Sequence, residues 1–270
     1  MNHPDGREPP YVGCYGVTER SAPTYVGDYD EAITTSGASL RQAFLTGITI
    51  SIDLSDSPTK LRRAALDPPA TTASATLIYR PPSWVERLRL AEMFPAPAPT
   101  EVELGAGDGS FLAQWAARAP GHNFIAVERL LGRLRKLDRK ARRAGLLNLR
   151  LMRIEASYFL EYLLPAGSIR SLHVYFPDPW PKRKHRKNRL VSATFPELAA
   201  RALQPAGTVY LRTDDADYFV QMQEVFAADA RFRSCPTPDE LRLILTDFER
   251  TFHAQGIATL HAAYELNAPS

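Results

Sequence analysis

The chain has 270 residues, 44% of them hydrophobic, with 33 Lys and Arg against 30 Asp and Glu. That length holds one sizeable α/β domain with an extension, or two small domains. Cys14 and Cys235 exclude a disulfide framework and give no metal-ligand spacing. No apolar run approaches ~18 residues, so no membrane span is expected. A polar, proline-rich start without an apolar signal core suggests a cytoplasmic protein.

Residues 1–37 show no clear period. Ile48, Ile50, Ile52 and Leu54 alternate with polar residues, which predicts a half-buried strand. Lys60–Leu66 reads as a short helix, and the stretch after Asp67, rich in Pro, Ala and Thr, as a linker. Residues 1–80 are therefore read as an N-terminal extension of unassigned role, and 81–270 as the main domain. Ser83-Trp84-Val85-Glu86 has the spacing of a capping box and predicts a helix to Met93. From Glu101 the pattern alternates: strand 101–104, helix 110–118, strand 123–127, helix 129–144 stopping at Gly145, strand 149–154, helix 158–164, strand 171–176. Thr194-x-x-Glu197 and Thr237-x-x-Glu240 predict two more capped helices. Strands are expected at 208–212 and 257–266, with a helix at 216–228 between them. Repeated βα units imply a mostly parallel, Rossmann-like sheet flanked by helices.

Ligands of such sheets bind beyond the carboxyl ends of the strands. Glu103, Glu128, Glu155, Asp178 and the pair Asp214-Asp215 stand at or just past five successive strand ends. Asp and Glu also favour such junctions as helix N-caps, so any one of them has a purely structural reading. Glu103-Leu-Gly105-Ala-Gly107-Asp-Gly109 is glycine-rich, but Ser110 stands where a dinucleotide fingerprint places its third glycine. Two acids in this loop would repel a pyrophosphate. A cationic nucleoside such as S-adenosyl-L-methionine suits it better, with Glu128 accepting from ribose hydroxyls and Glu155 near the adenine.

Prolines 177, 179 and 181 stiffen the turn that presents Asp178 and Trp180. Six of the eight residues from Lys182 to Arg189 are Lys or Arg. A second basic stripe, Arg129, Arg133, Lys136, Lys140 and Arg143, recurs at helical spacing beside an apolar face of Leu130, Leu134, Leu137, Ala141 and Ala144. Basic stripes are commonly solvated surface; two of them flanking one site also suit a polyanion.

The glycine loop resembles the first motif of class I methyltransferases. Phe176-Pro-Asp-Pro-Trp-Pro-Lys-Arg-Lys-His-Arg-Lys-Asn-Arg189 resembles the signature of the tRNA (guanine-N7-)-methyltransferases. The likeness runs from about Thr100 to Glu265. It implies a class I fold and methyl transfer from S-adenosyl-L-methionine to N7 of a guanosine in the tRNA variable loop. By motif, Glu103, Gly105, Gly107, Glu128, Glu155 and Asp178 would line the cofactor site, with Asp178 catalytic. Lys182, Asp214 and Thr246-Asp247-Phe248-Glu249 would bind substrate, and Lys184, His185, Arg186, Lys187, Asn188 and Arg189 the RNA backbone. Three positions depart from the family pattern: Glu155 for Asp, Asn188 for a basic residue and Asp247 for Lys. Other readings are a class I enzyme acting on another RNA position or a small molecule, and a non-catalytic RNA-binding relative.

Overall fold

The computed structural model describes residues 76–268. The strand expected at Ile48–Leu54, the helix at Lys60–Leu66 and the linker after Asp67 lie outside them. Seven strands form one sheet: β1 (Thr100–Leu104), β2 (Asn123–Val127), β3 (Leu149–Met152), β4 (Ile169–Tyr175), β5 (Leu203–Thr213), β6 (Phe232–Cys235) and β7 (Leu260–Leu266). Their order is β3-β2-β1-β4-β5-β7-β6. The first five pair in parallel, and β7 runs antiparallel to both β5 and β6. The helices are α1 (Leu90–Met93), α2 (Leu112–Arg118), α3 (Leu131–Arg143), α4 (Ala156–Tyr158), α5 (Phe195–Ala202), α6 (Ala216–Ala227), α7 (Asp239–Arg242) and α8 (Asp247–Ala254). A π-helical turn, Phe159–Leu163, continues α4, and a 3₁₀ turn spans Arg183–Asn188.

The sheet is buried on both faces, as a parallel sheet must be. One apolar cluster joins β1, β4 and β5 to α5 and α6 through Val102, Val174, Phe195, Val209 and Phe226. The other joins Phe111, Leu112, Leu134, Leu137 and Ala141 of the α2/α3 side to Phe124, Leu149 and Tyr175. Beyond the β3 edge, Leu77–Tyr79 adds a bridge: Tyr79 N–H donates to the Leu151 carbonyl at 2.8 Å and Leu151 N–H to that of Leu77 at 3.0 Å. The bridge lies before the domain boundary drawn at residue 81.

Several local expectations are corrected. Ser83 Oγ accepts from the Val85 and Glu86 amides at 3.3 and 3.2 Å, yet the helix forms only at Leu90–Met93. Tertiary bonds take up the intervening chain instead: Leu88 N–H donates to Leu163 O at 2.9 Å, and the Arg87 guanidinium to Leu164 O at 3.0 Å. Thr194 is the N-cap of α5 as expected but makes no side-chain capping bond, and Pro238 rather than Thr237 is the N-cap of α7. β5 begins at Leu203 rather than Thr208, because a bulge containing Ala206 and Gly207 is inserted between its pairings with Ile169 and Ser171. On α3, Leu130 and Ala144 are exposed and Asp138 takes the buried position among Leu134, Leu137 and Ala141. β6 and α8 were not foreseen.

A polar chain crosses the α2 side of the sheet. Glu101 accepts from Trp115 Nε1 at 3.1 Å and meets His122 Nδ1 at 2.5 Å and His173 Nε2 at 2.8 Å. His173 Nδ1 meets the Tyr175 hydroxyl at 2.8 Å. Burial pushes the Glu101 carboxyl up, but His173, by hydrogen bond and by charge, with His122 and Trp115, brings it down to about 2. A depressed carboxyl contributes stability that is present above its unfolded value near 4.5 and is lost as pH falls toward about 2. Glu101→Gln is expected to flatten the acid limb of urea-unfolding stability over that window. An unchanged acid limb would remove Glu101 as its source.

Candidate active site

The candidate site lies where β1 separates β2 from β4 at the carboxyl rim. The loop after β1 turns on Gly105, Gly107 and Gly109, with φ of 80°, 57° and 73°. Those left-handed angles favour glycine. At Gly109 a side chain is excluded twice over, because a Cβ would also run into Leu137. Glu128 is buried and holds this loop in place: Oε2 accepts from the Gly107 amide at 3.0 Å and Oε1 from the Leu130 amide at 2.6 Å. Each carboxylate oxygen keeps a further lone pair for a ligand hydroxyl.

Glu103 is 3% exposed and its Oε2 has no hydrogen-bond partner. Burial raises its carboxyl to about 8; Arg212 pulls against the rise, while Asp108 and Glu128 add to it. An orphaned buried acid beside a glycine loop is a place for a cationic group, and S-adenosyl-L-methionine carries two. The donor set thus fits that class of cofactor. Glu155 is exposed and N-caps α4, with Oε2 accepting from the Tyr158 amide at 2.8 Å.

Asp178 is exposed in the loop after β4. This loop is strained on both sides: Phe176 and Trp180 have φ of 51° and 44°, in the region non-glycine residues avoid. Such conformations persist only where their surroundings enforce them. Here the Phe176 amide donates to Arg212 O at 2.8 Å, and Arg189 Nε to Pro179 O at 2.7 Å. The Phe176 ring lies 6.2 and 5.8 Å from those of Phe248 and Phe252. Trp180 is half-buried, its ring 5.9 Å from that of His185.

The basic turn divides by burial. Lys182, Lys184, Lys187 and Asn188 are exposed, and His185 and Arg186 half-buried. Arg186 is paired with Asp217 at 3.0 Å. Arg189, expected on the RNA backbone, is 3% exposed and works inside the protein. It bonds Gln221 Oε1 at 2.7 Å and Asp217 Oδ2 at 2.6 Å and stacks 4.6 Å from the Tyr218 ring centre.

The Thr246–Glu249 stretch also has a structural task. Thr246 caps α8, and its side chain and that of Glu249 bond each other's amides at 3.0 and 2.7 Å. Glu249 is fully buried and pairs with Arg212 at 3.0 Å. Asp247 reaches the glycine loop, where its amide donates to Ser110 Oγ at 3.0 Å. Burial raises the Asp108 carboxyl, but the neighbouring Asp247 side chain, together with Lys140 and the Ser110 amide, holds it below the usual carboxylate range. Phe248 is exposed beside Phe176. Asp214 is half-buried after β5, its carboxyl raised by burial and by Asp215. A groove of about 880 Å³ lined by Arg242, His253, Ile257 and His261 contains none of these residues.

Sequence reasoning missed Arg212. Its guanidinium bonds Ile244 O at 2.9 Å, Leu241 O at 2.6 Å and Glu249, and lies 4.1 Å from the Tyr175 ring centre. The available signal was an arginine inside the apolar run Val209-Tyr-Leu-Arg212.

A glycine loop, the buried acid that holds it and an orphaned inner acid stand together at the rim of a mostly parallel, Rossmann-like sheet. The sequence model of a family described as putative methyltransferase matches residues 97–262. Curated relatives named tRNA (guanine-N(7)-)-methyltransferase narrow the class. That of Chromobacterium violaceum is 34% identical over 193 residues, 70% of this chain and 81% of the relative. That of Treponema pallidum is 36% identical over 173 residues, 64% of this chain and 69% of the relative. That of Halorhodospira halophila is 36% identical over 146 residues, which span 54% of this chain and 63% of the relative. The chain belongs to the tRNA (guanine-N(7)-)-methyltransferase family.

Replacing Arg212 by Met strands a buried Glu249 carboxylate, and removing one partner of such a pair costs about 3–5 kcal/mol. Urea unfolding of Arg212→Met is expected to show a loss of that order, partly recovered in Arg212→Met/Glu249→Gln. A loss below about 1 kcal/mol would mean the pair is dispensable.

Proposed function

We propose that the chain transfers a methyl group from S-adenosyl-L-methionine to N7 of a guanosine in the tRNA variable loop. The reading places it in the cytoplasm. The observation that carries it is Asp178, exposed in a strained loop at the end of β4, one strand from the glycine loop, in a chain 34% identical to a relative of that name. Among the described residues no helix is long and apolar enough to cross a membrane.

S-adenosyl-L-methionine, when bound, supplies an electrophilic methyl group. The glycine loop would let the backbone approach the cofactor closely, Glu128 would accept hydrogen bonds from its ribose hydroxyls, and Glu103 would sit against its cationic end. Guanine N7 has a free lone pair at neutral pH, so no residue need remove a proton from it. Catalysis then rests on holding N7 in line with the methyl group. Asp178 is assigned to meet the guanine edge and stabilise the positive charge that develops on the purine. Lys182, Asp214 and Phe248 are assigned to the substrate side, and Lys184 and Lys187 to phosphates.

Two measurements test this. Labelled methyl transfer to unmodified tRNA transcripts is expected to yield 7-methylguanosine in the variable loop. Asp178→Ala should lower turnover roughly 10²–10³-fold with cofactor affinity held. Cofactor binding without tRNA labelling would overturn the substrate, and an equal loss of affinity would make Asp178 a binding residue. The second concerns Glu103, protonated at pH 7 if its carboxyl titrates near 8. A cation favours the carboxylate, so binding releases a proton and affinity rises with pH up to about 8. Calorimetry at pH 7 in buffers of different ionisation heat should read about one proton released by the wild type beyond Glu103→Gln. Identical proton release by both would remove Glu103 from the cation site.

A further inference from the structure

α3 carries more Lys and Arg than any other element among the described residues, and the site above uses little of it. Within Leu131–Arg143 stand Arg133, Arg135, Lys136, Arg139, Lys140, Arg142 and Arg143, against the single acid Asp138. Asp138 is turned inward: Oδ1 accepts from the Leu77 amide at 2.8 Å and Thr76 Oγ1 at 3.1 Å, with Arg142 3.7 Å from Oδ2. Lys140 is tied to the glycine loop, 3.3 Å from Asp108 O and 3.5 Å from its carboxylate. Arg135, Lys136, Arg139 and Arg143 are exposed, and none of them pairs with a carboxylate of the described residues.

An ordinary solvated helix mixes its signs. α7 and α8 do so, with Arg242 beside Asp239 and Arg250 beside Asp247. On α3 the pairs 135/139, 139/143 and 136/140 set like charge against like at i,i+4, which works against the helix. The helix dipole offsets this only in the last turn, at Lys140, Arg142 and Arg143. An arrangement that weakens its own helix suits an anion supplied from outside. The topology says where. α3 follows β2 and the basic turn Arg183–Asn188 follows β4, the two neighbours of β1. Cations therefore flank the glycine loop on both sides. As a crossover between parallel strands, α3 leads back from the rim, and its 13 residues extend the positive surface by about 20 Å.

We infer that the exposed face of α3, Arg135, Lys136, Arg139 and Arg143, is a second phosphate-binding surface, which holds a part of the tRNA remote from the methylated base. The inference rests on the proposed tRNA substrate. A nucleoside at the rim cannot reach these residues, whereas a folded RNA extending about 20 Å from its target base can.

The test uses the full chain with Arg135→Ala, Lys136→Ala, Arg139→Ala and Arg143→Ala combined. tRNA affinity is read by fluorescence anisotropy across a salt series, and fold by thermal melting and S-adenosyl-L-methionine binding. Each lost phosphate contact flattens the slope of log affinity against log salt by about 0.7–0.9, so four predict a change of about three. A charge-keeping variant with the three arginines replaced by lysine should retain the slope and guards against a folding artefact. KM for intact tRNA should rise at least tenfold, and that for a short hairpin of the target loop less than twofold. An unchanged slope in a folded variant, or no tRNA binding by the wild type, overturns the inference. An equal loss on the short hairpin overturns the remote position. The slope is read whether or not label appears, while 7-methylguanosine made by the wild type separately reads the proposed reaction, so the two failures are distinguishable.

Discussion

The buried pair of Arg212 and Glu249 ties together the elements that carry the candidate site. Arg212 lies at the carboxyl end of β5, 1% exposed, and Glu249 one turn into α8, fully buried. Two charges in a low-dielectric interior are tolerable only with close geometry and further hydrogen bonds. Arg212 has both, through the carbonyls of Leu241 and Ile244 and the face of Tyr175. The result is a strut. It fastens the 241–246 segment and α8 to the sheet, and its own carbonyl receives the Phe176 amide that starts the Asp178 loop. α8 hangs on the Arg212 guanidinium, and the strand end presenting Asp178 on the backbone carbonyl of the same residue.

The strain in that loop then has a physical account. Two non-glycine residues with positive φ bracket Pro177-Asp178-Pro179. Each such conformation costs of order 1–3 kcal/mol and would relax if the ends were free. Arg212 holds one end and Arg189 the other, through the Pro179 carbonyl. Under the proposed function, a loop already held in shape lowers the ordering cost at the moment of binding.

Charge is layered from the centre outward. Glu101, Glu103 and Glu128 are buried, Asp178 and Asp214 stand at the mouth, and the cations of α3 and of Lys182–Lys187 lie outside. The acids beside the glycine loop suit a cationic cofactor, and the outer cations suit a polyanion. A formal net charge of +3 conceals this arrangement.

Features set by near neighbours in the chain were legible in the amino-acid sequence. The βα alternation, the glycine turn, Gly145 ending α3 and the acids at strand ends follow from periodicity and backbone allowance. What depends on distant partners was not. Arg189 stands in a run of identical charge, and only Asp217 and Gln221, 28 and 32 residues further on, draw it inside. The capping pattern makes the same point. Ser83-x-x-Glu86, Thr194-x-x-Glu197, Thr237-x-x-Glu240 and Thr246-x-x-Glu249 share one spacing, but only the last closes both reciprocal bonds. Its glutamate is held in place by Arg212, a strand residue 37 positions away. The sequence by itself determined the alternating βα core from β1 to β5 and its order, but neither β6 nor α8. The tertiary structure decided which charges are buried as struts and which remain for a ligand, because burial is set by what packs from elsewhere in the chain.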